Sequence, residues 1–346
     1  MNDARVSKSL LICFFHSMQG LRFCLLLLGL ILGGCDNELV SPLRVASHEW
    51  PGYEPLHLAR DLGFYDEHKI HVYEVPSATS TIRAFRNGYI DVAALTLDEA
   101  LLLLQDQVPI KILLVMDVSN GADAVLGGDS VETLGDLKGK RIGVESSALG
   151  AYMLSRTLSK ANLTNQDIQT VYIPFNKHLQ AYQQQQVDAL VTFEPNKTLI
   201  QKSGGKVLMD SRELANEIFD VLVIRESVIA SHRDAVTQLI EGWFKALTYL
   251  ETQPKNAADR ISKRINVSAD EFLNSLKEIS IPNRAQNKEF LTGHSPQLLI
   301  TGQRLAEVIL RYLTLQGHYD LGHVLIFHLQ VLKQFPNLIL SIDPFL

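Results

Sequence analysis

The 346-residue sequence has few cysteines: Cys13, Cys24 and Cys35, all within its first 35 residues. The rest of the chain therefore offers no thiol for a disulfide, a thiolate metal site or a cysteine nucleophile. It also has no basic stripe, and its net charge of −6 argues against a nucleic-acid-binding surface. A Gly-rich phosphate or dinucleotide loop and a Gly-x-Ser-x-Gly nucleophile elbow are missing as well. We therefore expect small molecules or other proteins as partners, and no cofactor.

Histidine is present but scattered, with ten residues of this type in positions 35–346. His68 and His71 lie on either side of a predicted change from helix to strand, and His323 and His328 are five positions apart. Neither pair shares a helical face, which a two-histidine metal site on a helix requires. We therefore expect surface or hydrogen-bonded histidines and no metal site.

The N-terminal segment is typical of a targeting signal. Arg22 precedes an apolar run over residues 23–32, which is too short to span a bilayer as a helix. The run ends in Leu-Gly-Gly-Cys35, which resembles the lipobox of bacterial lipoproteins. The resemblance implies a signal peptide over residues 1–34 and lipidation of Cys35, and Asp36 resembles an inner-membrane retention signal. Met18 is an alternative start, and an uncleaved anchor is the alternative interpretation.

Two stretches about a hundred residues apart share one pattern, over residues 88–100 and 186–195. In each, an aspartate (Asp91 or Asp188) precedes an apolar run, and carboxylates begin the following helix: Asp98 and Glu99 in the first stretch and Glu194 in the second. Ligands of open α/β sheets lie beyond the carboxyl ends of the strands, where helix N-termini point. The repeated pattern predicts two α/β lobes that face each other across a cleft, although any buried parallel strand could give one copy of the pattern.

Elsewhere, strands alternate with helical patterns of ten to fifteen residues, which is typical of parallel β-α-β units. From residue 231 the pattern is helical, and Trp243 falls on the apolar face of the first predicted helix. Ser268 and Glu271 form a capping-box pattern, and Pro296 is predicted to open a later amphipathic helix. The sequence does not place the tail after about Gly317.

Four motifs carry a resemblance to a known family: the Trp50-Pro-Gly-Tyr-Glu loop, "NGYIDVAALTLDEAL", "DLKGKRIGVE" and "VDALVTFEP". Over roughly residues 43–315 the chain resembles periplasmic substrate-binding proteins of ABC importers, in the nitrate/taurine/sulfonate and thiamine-pyrimidine-like branch. The resemblance implies an α/β, two-lobed type II periplasmic-binding-protein fold with two hinge crossings, near residues 124–128 and 221–225.

The same resemblance implies a domain organisation and partners. Residues 35–42 would be a linker, 43–125 the first part of lobe I, 126–220 lobe II, and 221–346 the return to lobe I. The expected partners are a small-molecule ligand and an ABC permease in the inner membrane, with the protein a lipid-anchored periplasmic monomer. A periplasmic sensor that docks on a membrane signalling protein is the alternative. Thiamine-pyrimidine synthases share this fold but use a Cys-rich motif, which this chain lacks, so we expect no enzyme.

Matching strand ends to the family would bring eleven residues around the cleft: Trp50, Tyr53, Ser80, Thr96, Asp98, Ser119, Asp123, Ser146, Tyr152, Glu194 and Asp220. Four of them are acidic, and no Arg or Lys lies in these loops. This charge favours an amine-bearing or aminopyrimidine-like ligand over a nitrate or a sulfonate. Asp98 and Glu194 could instead simply cap helices.

Trp50 is expected to stack on a flat ligand or to cover a cation. Gly52 is expected to let the backbone come close to that ligand. The alternative is that Trp50 is an ordinary core residue beneath its own helix.

Overall fold

The computed structural model describes residues 40–292 and 297–315. The predicted signal peptide, Cys35, Pro296 and the tail after Gly317 lie outside the described residues. The described residues from Pro42 onward group into one unit. Among the described residues, no helix combines the length and the apolar composition that crossing a membrane would require.

Eleven strands occur within the described residues. They are β1 (Leu43–Ser47), β2 (Ile70–Glu74), β3 (Val92–Thr96), β4 (Ile110–Ser119), β5 (Asp123–Gly127), β6 (Arg141–Val144), β7 (Gln169–Tyr172), β8 (Ala189–Phe193), β9 (Lys206–Asp210), β10 (Phe219–Arg225) and β11 (Ile279–Ser280).

Eleven α-helices accompany them within the described residues. They are α1 (Glu54–Asp61), α2 (Ala78–Arg86), α3 (Leu97–Gln105), α4 (Ala148–Ala161), α5 (His178–Gln183), α6 (Asn196–Lys202), α7 (Arg233–Thr252), α8 (Pro254–Ile265), α9 (Ala269–Ser275), α10 (Arg284–Thr292) and α11 (Gln297–Leu315).

The strands form two sheets, as the repeated sequence pattern predicted. The first has the order β11-β4-β10-β3-β1-β2 and the second the order β7-β6-β8-β5-β9. In both sheets the strands that alternate with helices are parallel: β1 pairs with β2 and β3, and β6 pairs with β7 and β8. The long β10 is antiparallel to β3 and β4, and β5 is antiparallel to β8 and β9. The α/β architecture with two lobes is therefore confirmed.

The chain changes sheets slightly earlier than predicted. The whole of β5 belongs to the second sheet, and the whole of β10 belongs to the first. The passages between sheets are residues 120–122 and residues 211–218, rather than 124–128 and 221–225. The prediction missed this because a strand that leaves one lobe and a strand that enters the other have the same apolar pattern.

The strands nearest the middle of each sheet are apolar and buried along their whole length. All five residues of β3 and of β8 are buried, as expected for parallel strands covered by helices on both faces. The long helix α7 buries Trp243 completely, together with Leu239 and Ile240 on the predicted apolar face. Burial of one such side chain contributes about 1.5–3 kcal/mol to folding. The capping box at Ser268 is also present, because Ser268 and Glu271 accept each other's backbone N–H groups.

Candidate functional site

A cleft lies between the two lobes at the carboxyl ends of their strands. The space between its atoms, including the part that opens to solvent, is about 290 Å³, but only about 10 Å³ of it has room for the centre of a water molecule, so the two lobes lie close together here. The first lobe contributes His48, Trp50, Tyr53, Ala78, Thr96, Glu99 and Asp220, and the second contributes Asp123, Glu145, Ser147, Leu149 and Phe193. An adjoining space of about 250 Å³ extends into the second lobe and shares Asp123 and Glu145 with the first.

One wall of the cleft is aromatic. A short 3-10 turn over Pro51–Tyr53 follows β1 and places the ring of Tyr53 at 5.2 Å from that of His48 and at 6.4 Å from that of Trp50. From the second lobe, Phe193 meets the edge of Trp50 at 5.6 Å and that of His48 at 5.8 Å between ring centroids. Phe193 is itself held by stacking on Phe175 at 4.0 Å. The aromatic wall therefore contains rings from both lobes.

Behind this wall, two aspartates anchor the aromatic side chains. Trp50 Nε1 donates to Asp117 Oδ2 at 2.9 Å, and the Tyr53 hydroxyl donates to Asp220. Asp117 and Asp220 are direct partners in the β4–β10 ladder. Burial raises the pKa of Asp117 to about 7, and burial together with the charge of Asp117 raises the pKa of Asp220. This pair therefore retains a proton near neutral pH and orients the wall.

Three carboxylates that line the cleft are incompletely bonded. Glu99 Oε1, Asp123 Oδ2 and Glu145 Oε2 are buried and have no hydrogen-bond partner among the described residues. Burial raises the pKa of Glu99 and of Glu145, and it raises the pKa of Asp123 to about 7. A buried polar atom left without a partner costs about 1–3 kcal/mol. When these groups are ionised, the three oxygens are acceptors for donors on a bound molecule, and a bound cation would favour the ionised forms.

One lysine is buried close to these acids. Lys197, on α6, is 2% exposed and donates to Gly121 O at 2.9 Å and to Glu278 of the first lobe. Its Nζ also lies 3.9 Å from Glu194. Sequence reasoning missed this cation, because α6 follows the predicted loop and nothing local indicates that the side chain turns inward. Its partners are protein atoms, so its charge is already balanced within the protein.

Of the eleven residues predicted for the site, five line the cleft: Trp50, Tyr53, Thr96, Asp123 and Asp220.

The other six predicted site residues do not line the cleft, and most have structural partners. Ser80 bonds the N-cap residue Ser77, and the Ser119 hydroxyl pairs with Ser211 at 2.7 Å. The Tyr152 hydroxyl donates to Glu217, and Glu194 accepts from the backbone N–H and the hydroxyl of Thr198. The helix-capping alternative therefore holds for Glu194.

Ser146 is exposed and contributes its carbonyl group, which accepts from Thr79 Oγ1 at 3.0 Å. Asp98 is buried beside Glu99, and burial raises its pKa to about 6. The N-cap residue of this helix is Thr96, and Glu99 Oε2 accepts from Thr96 N at 3.2 Å as in a capping box. The Asp98 carboxylate is bonded to backbone N–H groups of the same helix start, which agrees with the helix-capping alternative.

Seven lining residues were not predicted: His48, Ala78, Glu99, Glu145, Ser147, Leu149 and Phe193. Each lies within a few positions of a strand end that the sequence had indicated. Glu145 ends the "DLKGKRIGVE" motif, and Glu99 lies next to the chosen Asp98. Position alone does not decide which of two neighbouring side chains turns into a cleft.

The geometry also bears on the expectations for Gly52, for Trp50 and for metal binding. A side chain at Gly52 would overlap the Asp117 carboxylate and the Trp50 indole, so the close approach at this glycine is to those groups rather than to a ligand. Trp50 lines the cleft and is also buried in the apolar core with Leu56 and Leu58, so both interpretations of this residue describe part of its position. Within residues 40–292 and 297–315, no three His, Cys, Asp or Glu side chains are grouped so that they could hold a metal ion.

Comparison with protein families identifies the chain. The profile of the NMT1-like family matches residues 36–266, which is well over half of the sequence. The chain belongs to the NMT1-like family. A Brucella abortus protein described as a binding protein is 25% identical to this NMT1-like chain over 222 residues, covering 61% of this chain and 67% of the relative.

Solved structures of periplasmic binding proteins share its fold. The alkanesulfonate-binding protein SsuA from Xanthomonas axonopodis pv. citri, bound to MOPS, superimposes with a TM-score of 0.66 at 18% identity. The match covers 79% of this chain and 93% of SsuA. The periplasmic nitrate-binding protein NrtA from Synechocystis PCC 6803 gives a TM-score of 0.62 at 13% identity, covering 89% and 91% of the two chains. The periplasmic-binding-protein fold expected from the sequence is therefore confirmed.

Proposed function

We propose that this NMT1-like protein is the solute-binding component of an ABC-type importer, and that its cleft captures a small amine-bearing or aminopyrimidine-like molecule. The observation that carries the ligand class is the set of three unpartnered acceptor oxygens on Glu99, Asp123 and Glu145. A protonated amine supplies donors and positive charge to such acceptors, and a charge-assisted hydrogen bond contributes about 1.5–3 kcal/mol.

Charge argues against an anion at this site. Among the described residues, no Lys or Arg lines the cleft, and the nearby Lys197 is engaged by Gly121 and Glu278. A sulfonate or a nitrate would meet three carboxyl groups at close range. In a partly desolvated cleft, each of these groups that is ionised would repel the anion by about 4 kcal/mol at 4 Å and an effective dielectric constant of 20. SsuA and NrtA thus support the fold and the transport role, while the side chains here favour a different ligand.

The aromatic wall supports a flat ligand. Trp50 and Phe193 belong to different lobes, so a planar molecule between the lobes would contact both rings. An aromatic face over a cation contributes about 0.5–2 kcal/mol. We propose reversible binding rather than turnover, and recovery of an unchanged stoichiometric ligand from the denatured protein tests this point. Recovery of a product in its place would indicate an enzyme.

The ligand class is tested with three probes of similar shape and different charge: benzylamine, benzyl alcohol and benzenesulfonate. A ligand that binds the native state raises the free energy of unfolding by RT ln(1 + [L]/Kd), and the unfolding temperature rises with it. We expect stabilisation by benzylamine and by the flat cation of 4-aminopyridine, and none by benzenesulfonate or nitrate. The variant Glu99→Gln should weaken the response to benzylamine. Stabilisation by the two anions alone would contradict the proposed ligand class.

We further propose that the protein works in the periplasm as a monomer, lipid-anchored to the inner membrane through Cys35, beside an ABC permease. The support is the lipobox-like Leu-Gly-Gly-Cys35 after an apolar run. Double or triple acylation, unlike a single chain, holds a protein firmly at a membrane. Cys35→Ser should release a soluble protein or leave an unprocessed precursor. An unchanged mass and an unchanged membrane fraction in that variant would contradict the anchor.

A further inference from the structure

Glu145 is placed where the two lobes meet. It follows β6 in the second lobe, just before the N-terminus of α4, and its ionisable side chain is buried. Opposite it lies the N-terminal turn of α2 in the first lobe, which contains Thr79. The Glu145 carboxylate therefore touches both lobes and the cleft.

The two oxygens of Glu145 have different environments. Oε1 accepts from Thr79 N at 3.3 Å and lies 3.2 Å from Thr79 Oγ1, whose single proton it shares with Ser146 O. The same hydroxyl lies 3.0 Å from Ser146 O, so the contact joins one residue of the first lobe to two of the second. Oε2 has no partner among the described residues, and the side chain lines both the cleft and the adjoining space.

The other two cleft carboxylates do not bridge the lobes in this way. Glu99 uses its second oxygen on Thr96 N, within its own lobe. Asp123 begins β5, and its polar neighbour in the first lobe is Ser119 at the end of β4, only four residues earlier in the chain. Of the three, within the described part of the chain, it is Glu145 whose carboxylate accepts from a helix of the opposite lobe, through Thr79 on α2.

We infer that Glu145 couples recognition of the ligand's cationic group to closure of the two lobes, with Oε1 holding Thr79 and Oε2 accepting from the ligand. This inference rests on the proposed binding function and deepens it. A cation at Oε2 stabilises the ionised carboxylate, and the ionised carboxylate is the stronger acceptor for Thr79. Because linkage is reciprocal, a contact that favours closure also favours the cation. A neutral ligand of the same shape lacks this effect.

The variant Glu145→Gln separates the hydrogen bond to Thr79 from the hydrogen bond to the ligand. A carboxylate offers two acceptor oxygens, whereas an amide offers one acceptor and one donor group. Glu145→Gln can therefore accept from Thr79 or from the ligand, but not from both. Thr79→Val removes the hydroxyl donor while leaving every cleft carboxylate in place. Glu99→Gln is the matched control, because it removes a cleft charge that has no bond across the lobes.

Closure is measured as the distance between spin labels on the two lobes by pulsed electron paramagnetic resonance. Tyr89→Cys and Tyr172→Cys provide exposed label sites, 69% and 64% exposed, in the first and second lobes. Labelling is selective in the full chain once Cys13, Cys24 and Cys35 are replaced by serine. Benzylamine is the cationic probe and benzyl alcohol the neutral one.

We expect saturating benzylamine to shorten the mean label distance in the parent and in Glu99→Gln, although Glu99→Gln binds roughly tenfold more weakly, a difference of about 1.4 kcal/mol. In Glu145→Gln, saturating benzylamine should leave the distance long, and the preference for benzylamine over benzyl alcohol should fall. Thr79→Val should keep that preference but close less with either probe. A parent-like short distance in benzylamine-saturated Glu145→Gln would overturn the inference.

The two proposals can fail separately. If benzylamine does not bind the parent, the proposed ligand class fails. The coupling then depends on the probe-free samples, in which Thr79→Val should have a longer mean distance than the parent, whereas Glu145→Gln, whose amide oxygen can still accept from Thr79, should resemble the parent. Equal distances in the parent and in Thr79→Val without probe would overturn the coupling. Thermal unfolding of each variant establishes that it is folded, and Thr79→Val tests the same contact from the other lobe.

Discussion

Arg44 binds the carboxylate of Asp91 with its backbone N–H and with its guanidinium, at 3.0, 2.8 and 2.6 Å. Arg141 binds Asp188 in the same way in the second lobe, at 2.8, 3.1 and 2.7 Å. Both pairs are separated by 47 residues. Each ties the first parallel strand of a sheet, β1 or β6, to the entry of the parallel strand beside it, β3 or β8. Asp91 and Asp188, the aspartates of the repeated sequence pattern, therefore act as clamps that hold two strands of one sheet together, rather than as ligand-binding groups.

The first prediction concerns these clamps. Asp91→Asn should lower the free energy of unfolding by about 1–3 kcal/mol, the usual effect of losing hydrogen bonds to a charged group. Asp188→Asn should cost less, because the Asp188 side chain is 22% exposed and that of Asp91 only 5%. Urea unfolding followed by circular dichroism measures both.

Asp234→Asn is the control for the clamps. Asp234 pairs with Lys69 on the surface, with side chains 68% and 49% exposed, and such pairs contribute about 0–1 kcal/mol. Losses of similar size in all three variants would contradict a clamping role.

The pKa values of Asp91 and Asp188 are lowered by their arginine partners, although burial opposes this. Their contribution is therefore present above the unfolded pKa near 4 and is lost as the pH falls through the lower folded pKa.

The second prediction concerns pH and Asp117. Burial raises its pKa to about 7, so the folded state holds a proton that the unfolded state has released above about pH 4. The stabilisation from this proton is complete below about pH 4 and is lost as the pH rises to about 7. Asp117→Asn keeps an acceptor for Trp50 but does not titrate. Its stability relative to the parent should therefore increase between pH 4 and pH 8.

The comparison with Asp117→Asn is made at each pH because other buried groups titrate in the same range. Burial lowers the pKa of His48 and of His178 to about 4, so these two favour folding at higher pH. Their contribution cancels in the difference between parent and variant. Thermal unfolding midpoints at several pH values give that difference. A constant difference from pH 4 to pH 8 would show that Asp117 does not titrate in this range.

The third prediction concerns the buried cation. Lys197→Met leaves Glu278 and Glu194 without their positive neighbour, and removal of one partner from a buried ion pair costs about 3–5 kcal/mol. Glu278 is 26% exposed, so we expect the lower end of this range. Lys202→Met, on the same helix but 60% exposed, should cost less than about 1 kcal/mol.

The pairing with Glu278 is tested by the double variant. Adding Glu278→Gln to Lys197→Met removes the unbalanced charge, so it should restore part of the lost stability in urea unfolding. No recovery in the double variant would indicate that Lys197 acts through packing and Gly121 alone.

The sequence predicted the sheets better than the cleft, for a physical reason. Strands β3 and β8 lie within the two predicted stretches, residues 88–100 and 186–195, because their Val, Leu and Ala runs are bounded by polar residues and, after β8, by Pro195. Asp117 was missed, because it lies inside an apolar strand and its partner Asp220 is set by ladder register. No local pattern encodes that register.

The composition of the cleft depends on contacts between lobes. Glu145 and Phe193 face residues of the first lobe that are tens of residues away in the chain. Tyr152 and Ser119 were chosen correctly as residues at a helix start or a strand end, but Glu217 and Ser211 bind them. A helix start or strand end predicted from sequence identifies candidates, and the partner on the other element decides which of them face the ligand.

The last prediction concerns Trp50, whose ring meets Phe193 of the opposite lobe and whose Nε1 is bonded to Asp117. Closure around a ligand should change this environment, whereas Trp243 is completely buried in α7. Benzylamine should therefore alter tryptophan emission in the parent and in Trp243→Phe, and leave it unchanged in Trp50→Phe.

Affinity separates a binding role for Trp50 from a purely structural one. If the indole stacks on the cation with about 1.4 kcal/mol, Trp50→Ala should bind benzylamine roughly tenfold more weakly. Trp50→Phe retains an aromatic ring and should lose less, although it loses the bond to Asp117. Circular dichroism establishes that both variants are folded, since Trp50 is buried. Parent-like affinity in a folded Trp50→Ala variant would mean that the ligand does not contact this ring, even if Trp50 emission reports closure.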